Sequence, residues 1–108
     1  MHTGIDIPKS GGTPIHNVMA GTVSFVGYDA DGYGNYCTVT SANGERQVLY
    51  AHMQSVAVTQ GQTVIKGDII GYVGTTGSST GNHLHLEYSI ENGFRTNPAF
   101  YIDGIINP

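Results

Sequence analysis

The stretch His83-Leu84-His85-Leu86-Glu87 alternates polar and apolar side chains without a break, and Tyr88-Ser89-Ile90 extends it. In an extended chain successive side chains point to opposite faces. Leu84 and Leu86 therefore enter a core, while His83, His85 and Glu87 share the other face. Working outward, turn signals recur about every ten residues: Ser10-Gly11-Gly12, Asp31-Gly32, Asn43-Gly44, Gly61, Gly67, residues 74–81 and Asn92-Gly93. Between them lie runs rich in β-branched and aromatic residues. Residues 18–28 read as a strand with Val23 and Phe25 on one face. Residues 36–41 and 47–53 flank Asn43-Gly44 as a hairpin whose loop exceeds two residues. Residues 68–73 and 83–90 supply two more strands. Only residues 97–102, with Pro98 suited to a first helical turn, read as a short helix. The expected fold is all-β: a compact antiparallel sheet or sandwich with at most a short C-terminal helical turn.

Composition agrees. The chain has 108 residues, of which 39% are hydrophobic and 11% charged, with 16 glycines and one cysteine. That length suits one domain, residues 1–108, with a single core. A helical bundle does not fit a glycine content about twice the usual ~7%. One cysteine excludes an internal disulfide and a cysteine-only zinc site, and Cys37 reads as a small buried hydrophobe. With net charge −4 and four basic residues, a nucleic-acid surface is not expected. No apolar run reaches the ~18 residues of a membrane span, and no signal-peptide pattern is visible. Five histidines against four basic residues mark where chemistry should be sought.

Two imidazoles on one strand face can chelate an ion, or one can ligate while the other moves a proton. His2-Thr3-Gly4-Ile5-Asp6 in extended form puts His2 and Asp6 on one face with room between them at Gly4. An imidazole and a carboxylate are ordinary Zn²⁺ ligands. In Tyr50-Ala51-His52-Met53, alternation places His52 on the face of Tyr50 and Val48. His16 has no partner in sequence and reads as structural. A catalytic zinc commonly takes three protein ligands. His2, Asp6 and one of His83 and His85 make such a set, leaving His52 and the other histidine for proton transfer and charge stabilisation. The run of residues 74–81 lacks the lysine ending of a phosphate loop and precedes a strand, so a nucleotide cradle is rejected; it reads as one wall of a cleft beside His83. An iron oxygenase built on His83, His85 and a later carboxylate leaves His2, Asp6 and His52 without a task. All-oxygen preferences set magnesium and calcium aside.

Three motifs in order, His2 to Asp6, Tyr50 to Met53, and Gly77-Ser78-Ser79-Thr80-Gly81-Asn82-His83-Leu84-His85-Leu86-Glu87, together resemble the lysostaphin-type (LytM-type) zinc metallopeptidases. Pro14-Ile15, Gly21-Thr22-Val23, residues 64–71 with Gly67, and Asn97-Pro98 also match, so the resemblance covers nearly the whole chain. It implies an antiparallel β-fold with a cleft over the sheet. It further implies a zinc endopeptidase cutting peptide bonds of bacterial peptidoglycan, in cross-bridge or stem peptide. One Zn²⁺ would be held by His2, Asp6 and His85, with His52 and His83 as the catalytic histidines assisting a metal-activated water. The enzyme would act on the cell wall as a secreted, envelope-associated or phage-borne lysin. A catalytically silent peptidoglycan-binding or regulatory module of the same fold is the alternative. There are departures: Met53 stands where leucine is usual and Asn82 where proline is common. Only Met1 precedes His2, where such domains usually carry an aromatic-glycine-basic segment and often a tyrosine near the metal. A minimal or excised domain is expected, or another element that supplies those contacts.

Overall fold

A computed structural model describes residues 4–77 and 81–90. Eight strands follow in chain order: β1 (Gly4–Pro8), β2 (Pro14–His16), β3 (Gly21–Asp29), β4 (Gly34–Thr40), β5 (Arg46–Val56), β6 (Thr63–Val64), β7 (Ile69–Val73) and β8 (His83–Ile90). They form one antiparallel sheet in the order β1-β8-β5-β4-β3-β6, and β7 pairs with both β5 and β2. The described residues contain no helix. The all-β antiparallel expectation is thus met, while the helical turn expected at residues 97–102 lies outside the described residues. Two short strands, β2 and β6, escape a reading based on long β-rich runs, while β1 bears out the extended form expected of residues 4–6. The loop at Asn43-Gly44 spans residues 41–45, as its expected length required, and Gly44 takes the left-handed conformation there (φ 76°).

Alternation in β8 holds. Leu84, Leu86 and Tyr88 are buried beside Ile7, Tyr50, Val48 and Val73 in one core cluster. Tyr50 is wholly buried, and its hydroxyl donates to Asn17 Oδ1 (3.0 Å) while accepting from the Val18 amide (3.0 Å). Asn17, also wholly buried, spends its amide on the carbonyls of Met19 (2.7 Å) and Ile65 (3.0 Å). A buried polar pair is tolerable only when its groups are matched in this way, since an orphaned one costs about 1–3 kcal/mol. Cys37 is buried, and desolvation pushes its thiol up to about 12, in keeping with a small apolar role.

Alternation fails in two strands, each time at an irregularity in pairing. In β3 the register passes from Val23 opposite Val39 to Phe25 opposite Thr38, so Ser24 is an extra residue. Such a bulge reverses the faces that follow it. Val23 is wholly buried and Phe25 is 44% exposed, correcting the expectation that they share a face. The second irregularity is in β5, where it shapes the site.

Candidate active site

β8 lies between β1 and β5, with Asp6 opposite His85 on one side and Ala51 opposite His85 on the other. Plain alternation brings His83, His85 and Glu87 to the face that Asp6 shares. His52 reaches that face by a different route. Between Cys37 opposite Tyr50 and Asn35 opposite Met53, β5 carries more residues than β4. Within this bulge His52 adopts φ 60°, and it alone among the described non-glycine residues has a positive φ. A left-handed residue with a Cβ costs roughly 1–2 kcal/mol, so the surroundings must hold it. The His52 amide donates to the Tyr33 carbonyl (2.7 Å), its carbonyl accepts from the Gly74 amide (3.1 Å), and its Nδ1 donates to the Thr76 carbonyl (2.8 Å). Tyr50, opposite Leu86, faces the core. The expectation that His52 shares its face is therefore corrected: the bulge turns the imidazole over to the histidines of β8.

Two glycines let the supporting loops meet. A Cβ on Gly34 (φ 64°) would lie 2.3 Å from the Thr76 carbonyl carbon, and one on Gly77 (φ 74°) would lie 2.2 Å from the Gly34 nitrogen. Thr76 hydroxyl donates to the Met53 carbonyl (2.7 Å) and accepts from the Asn35 amide (2.9 Å). The glycine-rich run is therefore a brace against β5 at Thr76. Residues 78–80 lie outside the described residues.

Three imidazoles converge. Ring centroids of His52 lie 5.1 Å from His83 and 6.0 Å from His85. Asp6 Oδ1 is 2.6 Å from His85 Nδ1 and 3.7 Å from His83 Nε2. His83 Nδ1 donates to the Gly81 carbonyl (2.9 Å). In neutral His52 and His83 the proton is thereby placed on Nδ1 and the lone pair on Nε2. His85 is held at both nitrogens, with Nε2 3.0 Å from Glu87 Oε2. Burial opposes charge on His85, but the hydrogen bonds to Glu87 and then Asp6 outweigh it and raise its pKa above 6.5. The bond to His85 lowers the Asp6 carboxyl below 3.8 against some desolvation.

Glu87 Oε2 also accepts from the Tyr33 hydroxyl (2.8 Å), and the Tyr33 ring stacks on His85 at 6.1 Å. Desolvation first, and then the bond to Glu87, push Tyr33 up to about 12, so it stays a donor. Tyr36 continues the row of rings at 5.3 Å from Tyr33, and Phe25 lies 5.6 Å beyond. Sequence reasoning placed Glu87 on this face without giving it a task. It missed Tyr33 because alternation says nothing of a residue in the turn between β3 and β4. His16 is engaged elsewhere, its Nδ1 2.9 Å from the Gly67 carbonyl. His2 lies outside the described residues.

The family model described as Peptidase family M23 matches residues 1–98. The chain belongs to peptidase family M23. It is 45% identical over 99 residues to the DD-carboxypeptidase/endopeptidase Mpg of Neisseria meningitidis, covering 92% of this chain and 22% of that protein. To the peptidoglycan DD-endopeptidase ShyC of Vibrio cholerae it is 37% identical, covering 90% of this chain and 22% of the relative. The chain thus spans about a fifth of the length of these curated relatives. Among solved structures, the catalytic domain of the antimicrobial peptidase lysostaphin from Staphylococcus simulans superposes with a TM-score of 0.84 at 30% identity, covering 95% of this chain and 80% of that one. A zinc-containing peptidase from Vibrio cholerae gives 0.79 at 33% identity, covering 85% and 28%. The lysostaphin-type resemblance and its all-β fold are therefore correct.

Proposed function

We propose that this M23 chain is one zinc endopeptidase domain that hydrolyses peptide bonds of bacterial peptidoglycan, acting wherever the cell wall is exposed to it. The observation carrying the proposal is the convergence of His52, His83, His85 and Asp6 on one sheet face. Names of relatives that cite peptidoglycan endopeptidase activity and a zinc-containing peptidase support it, and they weigh against a silent binding module.

The residues fit zinc. With the proton of His85 on Nε2 toward Glu87, its Nδ1 lone pair and Asp6 Oδ1 are two acceptors only 2.6 Å apart. In the metal-free site a proton bridges the two atoms, and once it leaves, an imidazole nitrogen paired with a carboxylate oxygen suits Zn²⁺ in its place. Among the described residues no group of three His, Cys, Asp or Glu side chains is arranged to hold an ion unaided. In this proposal His2 completes the set with Asp6 and His85.

When bound, zinc supplies Lewis-acid polarisation of the scissile carbonyl and lowers the pKa of water. The chain supplies the rest. His52 and His83 keep their Nδ1 protons on the Thr76 and Gly81 carbonyls, so each presents a basic Nε2. One takes the proton of the attacking water and the pair returns it to the departing amine. The imidazolium so formed also stabilises negative charge on the former carbonyl oxygen. No described helix is long and apolar enough to cross a membrane.

The test is release of new amino termini from purified peptidoglycan by zinc-loaded protein, beside chelator-treated and His83→Ala samples. New amines confined to the intact loaded protein support the reading, and mass spectrometry of the new terminus names the bond. Zinc bound without release from several wall chemistries defeats it.

A further inference from the structure

We propose that Glu87 and Tyr33 are positioning residues that hold His85 in the orientation and tautomer that aim Nδ1 at Asp6. The inference rests on the metal-site reading above and deepens it.

Glu87 Oε2 receives two donors, His85 Nε2 at 3.0 Å and the Tyr33 hydroxyl at 2.8 Å. An imidazole on a strand can flip about its outer bond, which puts carbons where Nδ1 and Nε2 stood, and either nitrogen can carry the proton; alternation alone decides neither. The carboxylate decides it: Nε2–H points along the strand to Glu87, and Nδ1 points across to Asp6 at 2.6 Å. Tyr33 constrains both partners at once, its hydroxyl on the carboxylate and its ring stacked over the imidazole. The same loop fixes His52, since the Tyr33 carbonyl accepts from the His52 amide at 2.7 Å. Tyr33 therefore ties the proposed ligand side of the site to the proposed proton-transfer side. Both His85 and Glu87 side chains are largely enclosed, at 14% and 21% exposure, so water competes weakly for these bonds. Partners of this kind set the orientation and basicity of a ligating histidine, and their loss typically weakens metal binding about 10- to 100-fold.

The experiment is zinc affinity by competition with a chromogenic chelator for wild type, Asp6→Ala, Glu87→Ala, Glu87→Gln and Tyr33→Phe. Circular dichroism verifies that each is folded at the assay temperature. Nitrogen-15 NMR of the zinc-loaded protein reads the His85 tautomer, which a merely structural role would not move. Glu87→Ala should lose about 10- to 100-fold in affinity together with the Nε2-protonated signature. Tyr33→Phe should lose less. Glu87→Gln should recover most of the loss, because its amide oxygen in the place of Oε2 can accept from both His85 Nε2–H and the Tyr33 hydroxyl. If wild type binds zinc and Asp6→Ala does not, yet Glu87→Ala binds as wild type, the positioning role is overturned. It is equally overturned if Glu87→Gln is as weak as Glu87→Ala. If wild type fails to bind zinc, or Asp6→Ala binds equally well, the underlying metal-site reading fails instead.

Discussion

β8 and β5 deliver three histidines to one face by opposite means. β8 does so through regular pleat: residues 83, 85 and 87 point one way and residues 84, 86 and 88 the other, with no departure from pairing against β1 or β5. β5 does so through an irregularity, a bulge whose left-handed residue is His52 itself. Strand regularity thus supplies the paired imidazoles, and local strain supplies the third. Strained residues held by their surroundings cluster at functional sites. Here the surroundings are Tyr33, Gly74 and Thr76.

The largest effects should come from the residues that β8 and β5 bring together with Asp6 of β1. Asp6→Ala or His85→Ala should abolish metal uptake, seen by elemental analysis, and with it nearly all hydrolysis. His52→Ala and His83→Ala should keep the metal and lose roughly 10²- to 10⁴-fold in turnover. A His52→Ala variant that loses zinc would erase the division of labour between the strands.

Metal-free stability sharpens the comparison. In β5, His52→Gly should be more stable than His52→Ala by about 1 kcal/mol, because glycine takes φ 60° without a Cβ penalty. In β8, His85→Gly should be less stable than His85→Ala by about 0.5–1 kcal/mol, as in any regular strand. Denaturant unfolding of the four variants measures both differences, and the same sign at the two positions would contradict a strained His52.

Acidity acts through His85 of β8 and its partner Asp6 of β1. His85 is raised above 6.5, so its contribution in metal-free protein is complete below that pH and disappears as pH climbs through the raised value. Asp6 is lowered below 3.8, so its contribution holds above that pH and disappears as pH falls through the lowered value. Chelator-treated wild type should therefore exceed His85→Ala in Tm near pH 5 and lose that margin in mildly alkaline buffer. Zinc affinity should run the other way, rising with pH as His85 Nδ1 sheds its proton. The smallest effect belongs to the core beneath β4: at pH 8 Cys37, pushed up to about 12 and buried, should react with thiol reagents only as fast as the domain opens.

What could be read from sequence follows the same division. Where the pleat is regular, from Leu84 to Tyr88, alternation located the core and the polar face correctly. Where an extra residue intervenes, at Ser24 and at His52, the face of Phe25 and of His52 came out reversed, because no residue type announces a bulge. Glu87 was visible as a neighbour of the histidines, but its task depends on Tyr33, brought in from a turn 54 residues away in sequence. Such a contact belongs to topology. The family resemblance supplied what spacing left open, the proposed assignment of His83 and His85 to different roles.

Anomalous diffraction at the zinc edge, on crystals of the zinc-loaded protein, tests the central claim most directly. The account predicts one ion bonded to His2, Asp6 and His85 through Nδ1, with His52 and His83 beside it and unbonded. An ion held by His83 together with His85, or one that leaves Asp6 uncoordinated, would contradict it.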